Sequence, residues 1–168
     1  MNRVIFLDID GVLNSNSQNQ EPGTEISDGT AVRREKVRLL AQLVRRTKAE
    51  LILHSGWRFW FDSDGTPLRP ESQYLVDLLA EEGLHLSGMT PDLTTEEIRS
   101  TKKFSLVKAD EILLWLKLHS SVSRWAVLDD LDLHREEIAN HQVKPDSAMG
   151  LTSKDIAKAE KILGPEEE

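Results

Sequence analysis

Apolar residues along this chain fall into short unbroken runs, separated by segments whose apolar positions recur at helical spacing. Val4-Ile5-Phe6-Leu7 is the first run. Four consecutive apolar residues flanked by turn formers predict a short strand buried on both faces. Leu51-Ile52-Leu53 and Trp125-Ala126-Val127-Leu128 repeat the pattern, and Leu84-His85-Leu86 and Gln142-Val143-Lys144 are shorter candidates. The spacing of Val37, Leu40, Ala41 and Val44 predicts a helix after Thr30. Tyr74, Leu75, Leu78 and Leu79 predict a second over 71–82, stopped by Gly83. A short helix is expected near 94–99. A longer one is expected from about Ala109 to Leu118, with Ile112, Leu113 and Leu116 on its core face. A short helix around 133–140 and a last one over 153–163 complete the pattern, the last with a near capping box from Thr152 and Asp155 and a stop at Gly164-Pro165. Strands alternating with helices predict an open parallel α/β sheet with helices on both faces.

Two stretches lack such periodicity. Ser15 to Gly29 is rich in Ser, Asn, Gln, Glu, Gly and Pro, which is loop chemistry. A larger irregular region spans about 59–101 and begins with the aromatic loop Phe59 to Pro70, where Asp64-Gly65 and Pro67 are turn signals. Phe59, Trp60 and Phe61 suit either a pocket wall or a tether of that loop to the core.

Composition narrows the class. The chain has 168 residues, 39% hydrophobic and 30% charged, the profile of one ordinary globular domain. A net charge of −8 argues against an extended nucleic-acid footprint, which needs a basic face, though not against a small phosphate-reading pocket. Cysteine is absent, so disulfides, thiol catalysis and cysteine-ligated zinc are excluded. No segment approaches the roughly 20 apolar residues of a membrane span, and the first apolar run ends at Asp8, short of a signal peptide. A cytoplasmic protein is expected.

Candidate chemistry sits where the strands end. Asp8 and Asp10 follow the first run, and side chains two apart on an extended backbone point the same way. Gly11 then permits a sharp turn beside a ligand. Two acids converging there repel each other without a cation, and a hard divalent ion such as Mg²⁺ prefers carboxylate oxygens. The plain alternative is a pair of solvated turn residues. The second run ends in His54-Ser55-Gly56-Trp57-Arg58, where a hydroxyl and the backbone N–H groups near Gly56 suit an anion. Arg58 suits a second phosphate or a surface ion pair, and Trp57 suits stacking on a base or a contact in the core. The Trp125–Leu128 run ends in Asp129-Asp130-Leu131-Asp132, echoing the first strand.

Asp8-Ile9-Asp10-Gly11-Val12-Leu13-Asn14 resembles motif I of the haloacid dehalogenase (HAD) superfamily of phosphatases. Ser55 matches that superfamily's motif II, Lys108 its motif III with Lys103 in reserve, and Asp129-Asp130 its motif IV. Ser55-Gly56-Trp57-Arg58, and the Pro-Asp-x-x-x-Gly-Leu-Thr that ends at Thr152, are similar to the HAD domains of Swiss Army knife RNA-repair proteins. The resemblance implies a Rossmann-like sheet with strands one, two and four side by side, and only a minimal cap, for which the 15–29 loop is the candidate flap. It implies a phosphatase with Asp8 as nucleophile and Asp10 as general acid and base. Mg²⁺ is expected on Asp8, the backbone carbonyl of Asp10, Asp129 and Asp130, the last directly or through water. Ser55 and Lys108 are expected on the phosphoryl oxygens. A small cap goes in this superfamily with macromolecular substrates or partner-supplied caps, so a phosphorylated small molecule or a nucleic-acid end is the expected substrate. A phosphoacceptor signalling domain and a non-catalytic Mg²⁺ or phosphate-binding module are the alternatives. The first of these places its acidic pair after the first strand, an order not found here.

Overall fold

The computed structural model describes residues 2–15 and 30–164. Most of the expected flap, 16–29, and the acidic tip with Pro165 lie outside the described residues. The elements run β1 (Arg3–Leu7), α1 (Arg34–Thr47), β2 (Glu50–Leu53), a 3-10 helix (Gly56–Trp60), α2 (Pro70–Glu81), β3 (Leu86–Met89), α3 (Glu96–Thr101), α4 (Ser105–Leu118), β4 (Arg124–Leu128), α5 (Glu136–Ala139), β5 (Gln142–Val143) and α6 (Ser153–Leu163). The five strands form one parallel sheet in the order β3-β2-β1-β4-β5. The expected α/β architecture is what the chain forms, with β1 at its centre and β2 and β4 beside it.

Strand alternation sorts the core into two layers. Ile5, Leu7, Leu51, Leu53 and Leu128 face a cluster filled by Leu40 and Leu43 of α1, Leu75 and Leu79 of α2, and Ile156 and Leu163 of α6. Val4, Phe6, Ile52 and Val127 face a second cluster with Ile112 and Trp115 of α4 and Ile138 of α5. All five residues of β1 are buried, as a run apolar on both faces requires.

Two elements depart from the sequence reading. The third strand lies at Leu86–Met89, two residues beyond the Leu84–Leu86 candidate. Leu84 instead donates its N–H to Leu79 O (2.8 Å) in closing the end of α2. The strand's Ser87-Gly88 pair is not apolar, and its pairing with β2 is irregular between Leu51 and Ile52, so no clean run marked it. Helix α4 starts at Ser105 rather than Ala109, which places Lys108 within its first turn instead of ahead of it. The aromatic loop contains the 3-10 helix and a small antiparallel contact between Phe61 and Pro67.

Candidate functional site

Hydrogen bonds carry the sheet ladder one residue past the strand ends. The N–H of Asp8 donates to Leu128 O (2.9 Å), that of His54 to Leu7 O (2.8 Å), that of Thr90 to Leu53 O (3.1 Å) and that of Asp129 to Val143 O (3.3 Å). The residues that follow β1, β2, β3 and β4 therefore stand in a row along one end of the sheet. Ligand sites in open α/β sheets lie at such carboxyl ends.

By alternation Asp8 continues the side of Val4 and Phe6, and Asp129 the side of Val127, which is the face covered by α4. Lys108 reaches both from that helix, with Nζ 2.6 Å from Asp129 Oδ2 and 3.7 Å from Asp8 Oδ1. Asp8, Asp129 and Asp130 each offer an oxygen, and these oxygens lie within 4.8 Å of one another. The loop carrying the pair is pinned: Leu131 N–H donates to Asp129 Oδ1 (3.0 Å), and Gln142 Nε2 donates to the carbonyls of Asp129 (2.9 Å) and Leu131 (2.7 Å). Gly11 closes the other side. Its φ is +77°, and a Cβ there would stand 2.4 Å from Asp130 Oδ2.

The electrostatics follow from burial. Desolvation pushes the Asp8 carboxyl well above the usual carboxylate range, Asp129 pushes it further, and Lys108 opposes both. Burial and then Asp129 raise Asp130 to about 6. For Lys108 burial disfavours the charge, but Asp129 and Asp8 outweigh it and hold the ammonium above its ordinary value. Three carboxylates thus share one lysine where water is scarce, an excess of negative charge that is costly without a counter-ion. Hard oxygen donors of this number and charge suit Mg²⁺, so the residues fit the ion that the sequence suggests.

The Asp10 carboxylate is not in that cluster. It is turned toward the 3-10 helix, where Trp57 Nε1 donates to Oδ2 (3.0 Å), while Asn14 Nδ2 donates to Oδ1 (3.1 Å). Any hold of Asp10 on an ion would therefore run through its backbone, not its side chain. Ser55 lies at the end of β2, buried, and its Oγ accepts the backbone N–H of Trp57 (3.2 Å), which caps the 3-10 helix. Gly56 is exposed with open space about it. Lys103 is exposed and lies before α4, so the position beside the carboxylates belongs to Lys108.

Of the two parts open to Trp57 and to Arg58, each takes the structural one. Trp57 is 1% exposed and packs against Trp60 with centroids 4.9 Å apart, so it offers no open face to a base. Arg58 is engaged by neighbouring protein groups. Its side chain is 10% exposed and pairs with Glu111 Oε2 at 3.1 Å. It also donates to Thr90 Oγ1 (2.6 Å) and to the carbonyls of Thr90 (3.3 Å) and Pro91 (3.0 Å). Of the aromatic loop, Phe59 is exposed and Phe61 lines a separate cavity of about 600 Å³ beside α2 and β3 that none of the three acids borders.

Sequence reasoning assigned no role to Asn14, Thr90 or Glu111. His54 takes a structural place behind the site. It is buried, its Nδ1 lies 2.6 Å from Thr90 Oγ1, and burial aided by Lys108 and Arg58 keeps the ring neutral. Glu111 left a signal, because it follows Lys108 by three residues and so shares its helix face.

Residues 4–156 match the family described as the HAD domain in Swiss Army Knife RNA repair proteins. No curated protein and no solved structure matches the chain.

Proposed function

Because the chain belongs to the family of HAD domains in Swiss Army Knife RNA repair proteins, a phosphatase-type hydrolase family, we propose that it is a Mg²⁺-dependent phosphomonoester hydrolase working through an aspartyl-phosphate. The observation that carries the reading is the buried group at the end of β1 and β4: Asp8 beside Lys108, facing Asp129 and Asp130. Asp8, Asp129 and Asp130, with the backbone carbonyl of Asp10, are the groups that would hold the ion. Bound there, Mg²⁺ would offset the charge that otherwise keeps an anionic nucleophile from an anionic ester.

The residues divide the work as follows. The Asp8 carboxylate attacks phosphorus, and the bond to the leaving oxygen breaks with its electron pair going to that oxygen. The carboxyl of Asp10 gives that oxygen a proton and becomes a carboxylate. In the second half, a water attacks the aspartyl-phosphate and passes its proton to Asp10, the Asp8–phosphorus bond breaks, and inorganic phosphate leaves. The hydroxyl of Ser55, still able to donate after accepting from Trp57, and the ammonium of Lys108 stabilise the equatorial oxygens. The presence of an acid at position 10 favours hydrolysis over a stable phospho-form. The family's description favours a phosphate on a nucleotide or at a nucleic-acid end.

The test is Mg²⁺-dependent phosphate release from an aryl phosphate, from nucleotides and from phosphate-ended oligonucleotides, with Asp8→Asn beside the wild type. Release that needs both Mg²⁺ and Asp8 supports the hydrolase, and the preferred member of the panel identifies the substrate class. A folded wild type that binds Mg²⁺ and releases no phosphate from any member would sink it in favour of a binding module.

A further inference from the structure

Both oxygens of the Asp10 carboxylate are met by side-chain N–H donors. Trp57 Nε1 lies 3.0 Å from Oδ2, and Asn14 Nδ2 lies 3.1 Å from Oδ1. Both donors are enclosed by the fold. Trp57 is 1% exposed and Asn14 is fully buried. Asn14 is itself fixed, since its Oδ1 accepts the N–H of Gly11 (2.9 Å) and its Nδ2 also donates to Thr30 O (2.9 Å). Trp57 is fixed at both ends. Its backbone N–H donates to Ser55 Oγ (3.2 Å) and its ring packs on Trp60. Core packing alone does not require an indole there, because a phenyl ring fills similar apolar space without a polar edge. A buried indole N–H needs an acceptor, and here that acceptor is a carboxylate of the candidate site and not a backbone carbonyl.

We propose that Trp57 is a positioning residue for Asp10: it holds the carboxylate in one plane and one rotamer at the mouth of the site. The inference rests on the hydrolase reading given above and assigns to the 3-10 helix a part in the proton transfer. Through its main chain Trp57 also sets Ser55, so one residue fixes the phosphoryl-oxygen donor and the acid relative to each other. Positional fixing of this kind lowers the barrier because the reacting groups no longer search for their geometry. The sequence run Ser55-Gly56-Trp57 then has a physical reason. The hydroxyl caps the 3-10 helix, the glycine leaves open space beside it, and the indole reaches across to Asp10 at the end of β1.

Trp57→Phe keeps the ring and deletes the donor. Phosphate release is measured with p-nitrophenyl phosphate, whose leaving group departs without a proton, and with an alkyl phosphate, whose leaving group needs one. The expected result is a kcat/KM that falls at least about ten-fold further on the alkyl ester than on the aryl ester, the range in which a displaced general acid acts. Asp10→Asn should show the same dependence on leaving group, and adding Trp57→Phe to it should cost little more. Mg²⁺ affinity, read by calorimetry, should match the wild type within about two-fold, since the three-acid cluster is untouched. An equal loss on both esters, or none on either, with an active wild type would overturn the role of Trp57 and leave the hydrolase standing. A wild type inactive on every ester would remove the hydrolase reading and this one with it. Should Trp57→Phe fail to fold, the indole ¹H–¹⁵N resonances of the wild type decide. One of them must shift when Asp10 is replaced by Asn, and no shift in any would overturn the contact.

Discussion

At Gly11 the backbone and a carboxylate occupy the same few ångströms. The left-handed φ of +77° costs a non-glycine residue about 1–2 kcal/mol, and a Cβ 2.4 Å from Asp130 Oδ2 would drive that carboxylate away. Gly11→Ala is expected to lower Mg²⁺ affinity more than it lowers melting temperature, a comparison of calorimetry with thermal unfolding. Asp130 also sets a pH dependence. Its pKa is raised to about 6 from 3.8, so between those values the native chain keeps a proton that the unfolded chain has released. Stability of the metal-free protein from this group therefore falls as pH rises through that window. Mg²⁺ must displace the same proton, so its affinity runs the other way, about ten-fold weaker at a pH near 5 than near 7. Titration calorimetry across that range checks it, and Asp130→Asn should weaken the pH dependence, leaving the part that Asp8 contributes. The residue types of the site were legible because carboxylates at strand ends have few other reasons to be there. Their directions were not. Nothing in the letters at positions 57 and 58 says that the indole turns to Asp10 and the guanidinium to Glu111.

Strands β1, β2 and β4 could be read because each is a continuous apolar run, which only burial on both faces explains. Helix α4 was harder. Its buried face carries Lys108 and Glu111 among Val107, Ala109, Ile112 and Trp115, so the charges that normally mark the solvent side stand on the wrong one. That face exists because Glu111 is paired. It accepts from Arg58 of the 3-10 helix and from the Leu93 N–H (3.0 Å), and so joins α4 to the β2–α2 and β3–α3 connections. Burial raises the Glu111 pKa, and Arg58 and the Leu93 N–H oppose the rise. Glu111→Ala should destabilise by roughly 3–5 kcal/mol by stranding a buried guanidinium. Arg58→Met combined with Glu111→Leu should recover much of that loss. Urea unfolding of Glu111→Ala, of the single variants Arg58→Met and Glu111→Leu, and of their double variant measures both, and additive losses would contradict the pairing.

Over the whole molecule, connectivity was readable from the alternation of elements, and the sheet order β3-β2-β1-β4-β5 brings separated acids together. What the chain as a whole lacks is neutrality at that meeting point, on top of a net charge of −8. A ligand that binds only the folded chain stabilises it by mass action, about 2.7 kcal/mol at a hundred times its dissociation constant. Mg²⁺ is therefore expected to raise the melting temperature, chelation to reverse the rise, and Asp8→Asn with Asp129→Asn to abolish it, as differential scanning fluorimetry would record. The central strand has one further consequence. β1 is bonded along both edges and covered on both faces, so its amides exchange with solvent only when the sheet itself opens, later than those of β3 or β5 at the borders. Asp8, the proposed nucleophile, is thus tethered to the last part of the molecule to come apart. Heating should extinguish turnover and native structure in a single step, with no half-open species that still works.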